Sequence, residues 1–318
     1  WIGKMLKPIR HMFPPLVTGI VVLMIGISLL KVGFKYAGGG VWLMNNKPEI
    51  FANWHHLTIA GTVLIVALLT NLKGRGMVSA ASILIGIIAG FIVAAMLGEV
   101  RWEKIAAADW FAIPMPMQYG IDFVWGAVIL MLFMSIVTTI ETIGDISATT
   151  MGGANREATN KELSGGIMAD GVGTAFASIF NAMPNTSYSQ NAGLVAFTGV
   201  ISRHVGTVAG VILILLGLFP KLGGIIAAMP DSVIGGAAII MFGLIAGAGI
   251  KLISKSEMSQ RNVLILALSL SFGIGLYAFP EFVAHVPDLG IKLGLLLTTG
   301  LIPAGLLAFI LNATLPKK

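Results

Sequence analysis

The sequence predicts an all-α membrane protein with about ten transmembrane segments, and its composition is the first reason. Of the 318 residues, 56% are apolar and only 11% are charged, whereas roughly a quarter of the residues in a soluble domain are charged. The chain therefore has too little polar surface to cover itself in water. Its forty glycines agree with this class, because small residues allow membrane helices to approach each other closely.

Apolar segments of membrane-spanning length are the second reason. A helix needs about 20 mainly apolar residues to cross the hydrocarbon core of a bilayer. The 57–72 stretch is short, and 190–200 is far too short and begins with polar residues. Short or interrupted spans in transporters often mark a binding site near the middle of the membrane. The candidate spans are 14–32, 57–72, 76–98, 123–144, 163–181, 190–200, 204–219, 231–250, 262–279 and 290–313.

The distribution of basic residues predicts the orientation of these spans. If the N-terminus is cytoplasmic, thirteen of the 20 Lys and Arg residues lie in cytoplasmic segments and seven lie outside. An excess of basic residues in cytoplasmic loops is the usual bias, so both ends are predicted to be cytoplasmic. The two longest outside connections carry tryptophans that would form an aromatic belt, and these are Trp42, Trp54, Trp102 and Trp110.

Two acids near the end of the fourth predicted span form the first candidate site. An ionisable group at mid-membrane costs roughly 2.5–3.5 kcal/mol on insertion scales, so such a group is a functional hypothesis. Glu141 and Asp145 are four residues apart, which places both carboxylates on one helical face. Two like charges one turn apart repel, and this favours holding a proton between them. The alternative is a helix end in the polar headgroup zone, where acids cost little.

A third acid, Asp170, lies about two turns into the fifth predicted span, among small residues that permit tight packing. It can be a functional group or a structural acid that joins two helices by hydrogen bonds. The two roles are compatible with each other.

The polar segment 181–193 is the second candidate site. Pro184 ends a helix, and the polar, β-compatible residues 186–189 predict extended backbone. A short helix is predicted to start at about Ser189, with free N–H groups and the positive end of its dipole at that point. An electronegative ligand group would be stabilised there. The alternative is an ordinary outside loop.

Three segments together resemble one known family. The residues Q-N-A-G-L-V-A-F-T-G at 190–199 fit the signature Q/E-N-x-G-x-x-x-x-T-(R/K/G) of the nucleobase–ascorbate transporters, also called the nucleobase:cation symporter-2 family. The residues E-T-I-G-D at 141–145 resemble the E-x-x-G-D segment of that family, and M-A-D-G at 168–171 resembles its A-D-G segment. Their order and spacing also agree, and the similarity is to the xanthine and uric acid permeases of the family.

The resemblance implies a fold of fourteen spans in two inverted repeats of seven, divided into a core domain that holds substrate and a gate domain. Residues 1–110 would be the first half of the gate, with three spans. Residues 111–222 would be the second half of the core, with four spans, one of them broken by a short β-strand. Residues 223–318 would be the second half of the gate. The family's first four spans would then precede this chain, which starts at Trp1 rather than at Met.

The resemblance also assigns roles to single residues. Glu141 and Gln190 would bind substrate through their side chains, and Tyr188 and Ser189 would contribute backbone contacts. Asp145 and Asp170 would be the proton-linked or structural acids. The remaining motif residues, which would be structural or bear on specificity, are Asn191, Gly193, Thr198 and Gly199.

The function implied is a proton-coupled symporter that imports a purine nucleobase, xanthine or uric acid, across the plasma membrane, which is the inner membrane of a bacterium. Gln190 favours a purine because uracil transporters of the family tend to carry Glu at that place. A uracil permease remains an alternative. So does a sulfate-permease-like anion carrier, although that family would want a basic residue where this chain has Glu141 and Asp145.

An intramembrane enzyme is disfavoured by the residue types available. The five histidines lie at loop or span ends without a His-x-x-x-His pair, and the chain has no cysteine to act as a thiolate metal ligand. No cofactor, no metal and no nucleic acid are expected. The expected partners are the nucleobase, protons, membrane lipids and a second copy of the chain bound through the gate domain.

Overall fold

The structure is a computed structural model that describes residues 14–188, 191, 195, 199–285, 294 and 297–316. These residues form fourteen α-helices and one short 3-10 helix at Pro48–Ile50. In chain order the α-helices are α1 (Pro15–Ala37), α2 (Val41–Asn46), α3 (Trp54–Lys73), α4 (Met77–Ala80), α5 (Ser82–Met96), α6 (Trp102–Ala107), α7 (Trp125–Ala154), α8 (Asn160–Ile179), α9 (Arg203–Gly217), α10 (Pro220–Ala228), α11 (Asp231–Ile253), α12 (Gln260–Ala278), α13 (Pro280–Ala284) and α14 (Leu301–Thr314).

Several of these helices are suited to a membrane, which confirms the predicted all-α membrane class. Within the described residues, α1, α3, α11 and α12 are each long and apolar enough to cross a bilayer. They coincide with the spans predicted at 14–32, 57–72, 231–250 and 262–279. Helices α5 and α14 are also apolar but shorter. The chain is therefore a multi-pass membrane protein.

The span predicted at 204–219 coincides with helix α9, and the chain bends directly after it. Helix α9 stops at Gly217, and after two residues the chain continues as α10 at an angle of 79° to it. The cause is local, because Pro220 occupies the first position of α10. Proline has no N–H to donate, and its ring clashes with the preceding turn, so a helix does not continue through it. The predicted span is therefore confirmed to within two residues at its end, and the short helix α10 is an element that the sequence did not predict.

The short β-strand predicted around Thr186–Ser189 is not found in the described part of that segment, where 182–188 has no regular secondary structure. A strand needs a neighbouring strand to pair with its backbone groups. Here a side chain bonds the backbone instead of a second strand. The hydroxyl of Thr174 lies 3.2 Å from the backbone N and 3.1 Å from the backbone O of Asn185.

The chain divides into two compact units. The first contains Trp1–Val32, Phe123–Glu141 and Met241–Lys318, and the second contains Gly33–Asp122 and Thr142–Ile240. These two compact units are not the gate and core segments predicted from the sequence, and that division into gate and core stays a prediction.

The core of the first unit is built on one face of α1. Leu16, Ile20 and Met24 recur every four residues, so they line one side of the helix, and each is at most 2% exposed. They pack against buried residues of α11, α12 and α14, namely Ile253, Ile265, Ala304 and Ala308. Glycine brings α1 and α11 close together, because a Cβ atom on Gly249 would lie 2.6 Å from the Cα of Leu23.

The second unit contains a similar close contact, between α3 and α5. Ile59 and Val63 of α3 are fully buried, and α5 turns Gly86 and Gly90 toward that face. A Cβ atom on Gly86 would lie 2.8 Å from the backbone oxygen of Val63.

Helix α10 is held to the segment after α6 by Lys221, which donates to the backbone oxygen of Ala108 at 3.0 Å.

We expect Gly249→Ala to destabilise the protein and Gly247→Ala, two residues earlier on α11, to leave it unharmed. A Cβ atom on Gly249 would collide with the backbone of Leu23, whereas nothing lies within 4 Å of a Cβ atom on Gly247. Overpacking costs typically about 1–3 kcal/mol, while alanine is the better helix former by roughly 1 kcal/mol. The measurement is the thermal unfolding midpoint of both variants in one detergent. Equal midpoints for the two would show that α1 and α11 do not meet at Gly249.

Candidate functional site

Both acids of the first candidate pair lie on α7, which continues unbroken through Glu141 and Asp145. The two residues are therefore one turn apart, and each is partly buried. The helix is longer than the predicted span and ends only at Ala154. Asp145 is nine residues before that end, which corresponds to roughly 14 Å of helix. The choice between a mid-membrane pair and acids in the headgroup zone stays a prediction.

Helix α8 starts with a hydrogen-bonded cap that determines where the chain turns after α7. The side chain of Thr159 accepts from the backbone N–H of Glu162, and the Glu162 carboxylate accepts from the backbone N–H of Thr159 at 2.8 Å. Arg156 donates to both carboxylate oxygens of Glu162, at 2.6 and 2.9 Å. These donors, Arg156 above all, hold the pKa of Glu162 well below its usual range. The charged carboxylate also suits the positive end of the helix dipole.

Within the second unit, the part of α7 from Thr142 onward packs antiparallel to α8, with a glycine at the contact. Gly166 of α8 lies against Ile146, so closely that a Cβ atom there would overlap the Ile146 side chain. One turn later on α8, Asp170 lies opposite Thr142. The residue number therefore rises on one helix as it falls on the other, from the Gly166–Ile146 contact to the Asp170–Thr142 contact.

Asp170 joins three parts of the second unit through one carboxylate oxygen. Its Oδ2 accepts a hydrogen bond from the hydroxyl of Thr142 at 2.6 Å and a longer one from the hydroxyl of Ser187 at 3.4 Å. Thr142 is only 1% exposed. This geometry is the one expected of a structural acid that holds helices and a loop together.

A second set of contacts joins α8 to the segment 182–188. The hydroxyl of Thr174 lies 2.7 Å from the side-chain oxygen of Asn185 and 3.1 Å from its backbone oxygen. It also accepts from the backbone N–H of Asn185 at 3.2 Å. Gly173 leaves room for the Asn185 amide, since a Cβ atom there would lie 2.7 Å from Nδ2. The segment that leads to the predicted binding residues is thus held to α8 at two points.

The signature residues that follow this segment are described in part. Tyr188 is 54% exposed, and Asn191 is helical and exposed. Gly199 has a φ of +67°, which favours glycine, and its N–H donates to the backbone oxygen of Val195 at 2.8 Å. This is how a glycine commonly ends a helix. The other four, Ser189, Gln190, Gly193 and Thr198, lie outside the described residues, so their roles stay predictions.

Sequence reasoning did not single out four residues that the structure brings into this region: Thr142, Thr174, Asn185 and Ser187. Their types are common and carry no motif by themselves. One signal was available, because Thr174 is four residues after Asp170 and so shares its helical face. No cluster of three potential metal ligands exists among the residues whose placement is described.

Comparison with known proteins identifies relatives over nearly the whole chain. A family model described as a permease family, Xan_ur_permease, matches residues 2–282. A candidate purine permease of Clostridium perfringens is 38% identical over 312 residues, which is 98% of this chain and 67% of that protein. The xanthine permease XanP of Escherichia coli is 34% identical over 323 residues, 100% of this chain and 68% of XanP.

A third relative has a different substrate in its name. The uric acid permease PucJ of Bacillus subtilis is 35% identical over 304 residues, 95% of this chain and 67% of PucJ. The chain thus spans about two thirds of the length of these three relatives.

We expect Thr142→Val to lower stability by about 1–3 kcal/mol, the usual cost of leaving a buried polar group without its partner. The change keeps the shape of the side chain but removes the 2.6 Å hydrogen bond to Asp170. Thr150→Val is the matched control on α7, because the Thr150 hydroxyl donates only within its own helix, to the backbone oxygen of Ile146. Thermal unfolding of both variants in detergent measures the difference. A Thr142→Val protein as stable as the Thr150→Val protein would contradict the structural role of Asp170.

Proposed function

The chain belongs to the nucleobase–ascorbate transporter family, and from this membership we propose that it imports a purine nucleobase, xanthine or uric acid, together with a proton. Members of the family are permeases, which move a substrate across a membrane rather than convert it. The relatives named for xanthine and for uric acid, at 34% and 35% identity, support a purine over other nucleobases.

The observation that carries this proposal is the hydrogen-bonded link between the two signature regions. Thr142, the residue after Glu141, is joined through Asp170 to Ser187, three residues before Gln190. A substrate site needs its polar groups held in place by the surrounding fold. This link supplies such support for the two regions that carry the proposed binding residues.

Each proposed binding group suits a purine edge. The ionised carboxylate of Glu141 can accept two N–H groups, and hydrogen bonds to a charged group are the stronger kind. The Gln190 amide offers a donor and an acceptor, which is complementary to the neighbouring C=O and N–H groups of an oxidised purine ring. Tyr188 and Ser189 would add backbone contacts beside it.

A uracil permease is the second candidate function, and Gln190 is the feature that separates the two. Uracil carries its paired C=O and N–H groups on a single ring, and transporters of uracil in this family tend to have Glu at the position of Gln190. An anion carrier is less compatible, because Glu141 and Asp145 place two acids on one turn of α7.

We propose that the acid pair Glu141 and Asp145 couples transport to protons. A second negative charge one turn from the first is costly where water is scarce, so in this proposal the two residues share one proton. Purine N–H donors stabilise ionised Glu141, and the displaced proton then rests on Asp145 or Asp170. One charge crossing 100 mV is worth about 2.3 kcal/mol, and one pH unit adds about 1.4 kcal/mol. Together these concentrate a neutral substrate by more than about two orders of magnitude.

The proposed assembly places the protein in the plasma membrane with both ends in the cytoplasm and a gate domain built from 1–110 and 223–318. Contacts within each unit support the gate. In the first unit Leu23 of α1 meets Gly249 of α11, and in the second unit Ala37 of α1 meets Gly235 of α11. These helices come from the two proposed gate segments. A second copy is proposed to bind through the same domain.

We expect unlabelled xanthine and uric acid to compete with labelled xanthine for uptake into proteoliposomes more strongly than uracil does. The physical reason is the match between the Gln190 amide and the donor and acceptor groups of a purine.

The same uptake assay of the full-length protein tests the binding-site variant Glu141→Gln. Loss of a charged partner costs about 1–3 kcal/mol, so purine affinity should fall roughly tenfold to a hundredfold.

Glu49→Gln is the matched control for that variant, because Glu49 lies in the short helix Pro48–Ile50 and is exposed. Its uptake should equal that of the unmodified protein. Stronger competition by uracil than by both purines would overturn the purine assignment. A Glu141→Gln protein with normal affinity would place Glu141 outside the substrate site.

We expect concentrative uptake to collapse when a protonophore is added and to be indifferent to sodium. Asp145→Asn should retain substrate binding but lose accumulation against a gradient, since it removes the second member of the proton-holding pair. Binding is measured by titration of the purified protein, and accumulation by uptake under an imposed pH gradient. Sodium-dependent accumulation that survives the protonophore would rule out proton coupling.

A further inference from the structure

We propose that Thr174 is a positioning residue that sets the shape of the purine site by holding Asn185, and with it the backbone that leads to Tyr188 and Gln190. This inference rests on the proposed function, because it concerns the segment that presents the substrate-binding residues. Thr174 does not belong to any of the three signature segments. Its role follows from contacts within the second unit alone.

The first step is the chemistry of the Thr174 hydroxyl, which serves as both donor and acceptor. One hydroxyl has a single proton to donate and two lone pairs to accept with. The shortest contact, 2.7 Å to the Asn185 side-chain oxygen, makes that oxygen the acceptor of the proton. The backbone N–H of Asn185 donates to the same hydroxyl at 3.2 Å. A side chain without a hydroxyl loses both interactions at once.

The second step is the spacing of the two contact points on α8. Asp170 and Thr174 are one turn apart, and they hold Ser187 and Asn185 respectively. Four residues of helix advance by roughly 6 Å, and two residues of extended chain advance by roughly 6.6 Å. The two lengths agree, so the segment 185–187 lies along one face of α8 and runs antiparallel to it.

The third step is the fit of the Asn185 side chain. Gly173 lies directly beside it, and a Cβ atom on Gly173 would lie 2.7 Å from the Asn185 Nδ2. The Asn185 amide thus occupies the space that a side chain at position 173 would need, so any residue larger than glycine there would displace it. Glycine and threonine at adjacent positions of α8 therefore act on the same residue, one by leaving space and the other by forming hydrogen bonds.

The consequence concerns the substrate. The segment 182–188 has no regular secondary structure, so the position of its backbone depends on contacts such as these. We expect a displacement at Asn185 to shift Tyr188, three residues later, and an error of about 1 Å in positioning can cost about a hundredfold in activity. Loss of the Thr174 hydroxyl should therefore weaken substrate binding although Thr174 touches no substrate.

The test compares Thr174→Val with Thr174→Ser in purified full-length protein in proteoliposomes. Valine has the shape of threonine without the hydroxyl, and serine restores the hydroxyl. We expect Thr174→Val to raise the KM for xanthine or uric acid by about tenfold with little change in maximal rate, in line with a weakened site rather than a failed protein. Thr174→Ser should return the KM to within about twofold of the original value.

Thr207→Val is the matched control, because the Thr207 hydroxyl donates only within its own helix, to the backbone oxygen of Arg203. It should leave the KM unchanged. A second readout does not depend on transport. The 318 residues contain no cysteine, so Met183→Cys, at a site that is 86% exposed, adds one position among them for a spin label next to the held residue, and any cysteine elsewhere in the full-length protein is replaced by serine. The label should become more mobile in the Thr174→Val protein and not in the Thr207→Val protein.

The outcomes separate the two proposals. Unchanged KM and unchanged label mobility in Thr174→Val would overturn the positioning role. Equal effects of Thr174→Val and Thr174→Ser would also overturn it, since the hydroxyl would then be irrelevant. If the unmodified protein takes up no purine while the label still becomes mobile in Thr174→Val, the proposed substrate is wrong and the anchoring of the segment is supported.

Discussion

A backbone that leaves its helix within a membrane protein must still find a partner for each N–H and C=O group. In the segment 182–188, α8 meets this requirement at Asn185, whose backbone N–H and C=O both bond the Thr174 hydroxyl, and Asp170 of α8 accepts from the side-chain hydroxyl of Ser187. The same carboxylate accepts from the buried hydroxyl of Thr142 on α7. The arrangement of the whole candidate site therefore depends on the register between α7 and α8.

Two features of α8 accompany this register, a hydrogen-bonded cap at its start and a close helix contact further along. The first lies at the turn between α7 and α8, which is proposed to face the cytoplasm. There α8 begins with the cap formed by Thr159 and Glu162, and Arg156 binds the Glu162 carboxylate. Further along, Gly166 lets α8 approach Ile146 closely enough for Asp170 to reach Thr142. Lipid offers little hydrophobic drive for helix association, so close packing of small residues and interhelical hydrogen bonds do most of that work.

The geometry also distinguishes the three acids that the sequence grouped together. Asp170 is engaged by two hydroxyl groups that come from different segments, which favours a structural role. Glu141 and Asp145 instead share one helix and lie well before its end. In the proposed mechanism Asp145 and Asp170 both remain candidates for the displaced proton, and Asp170 in addition holds α7, α8 and the segment 182–188 together.

The sequence by itself determined the membrane class, the principal apolar helices and the family, because composition, segment length and short motifs are local properties of the chain. It did not predict the short helix α10 that follows the bend at Pro220, and it predicted a strand where the described residues show none. Only the tertiary structure decided that Thr142 meets Asp170 and Thr174 meets Asn185. Those contacts join residues 28 and 11 positions apart, so they depend on helix register and close packing, which no local pattern encodes.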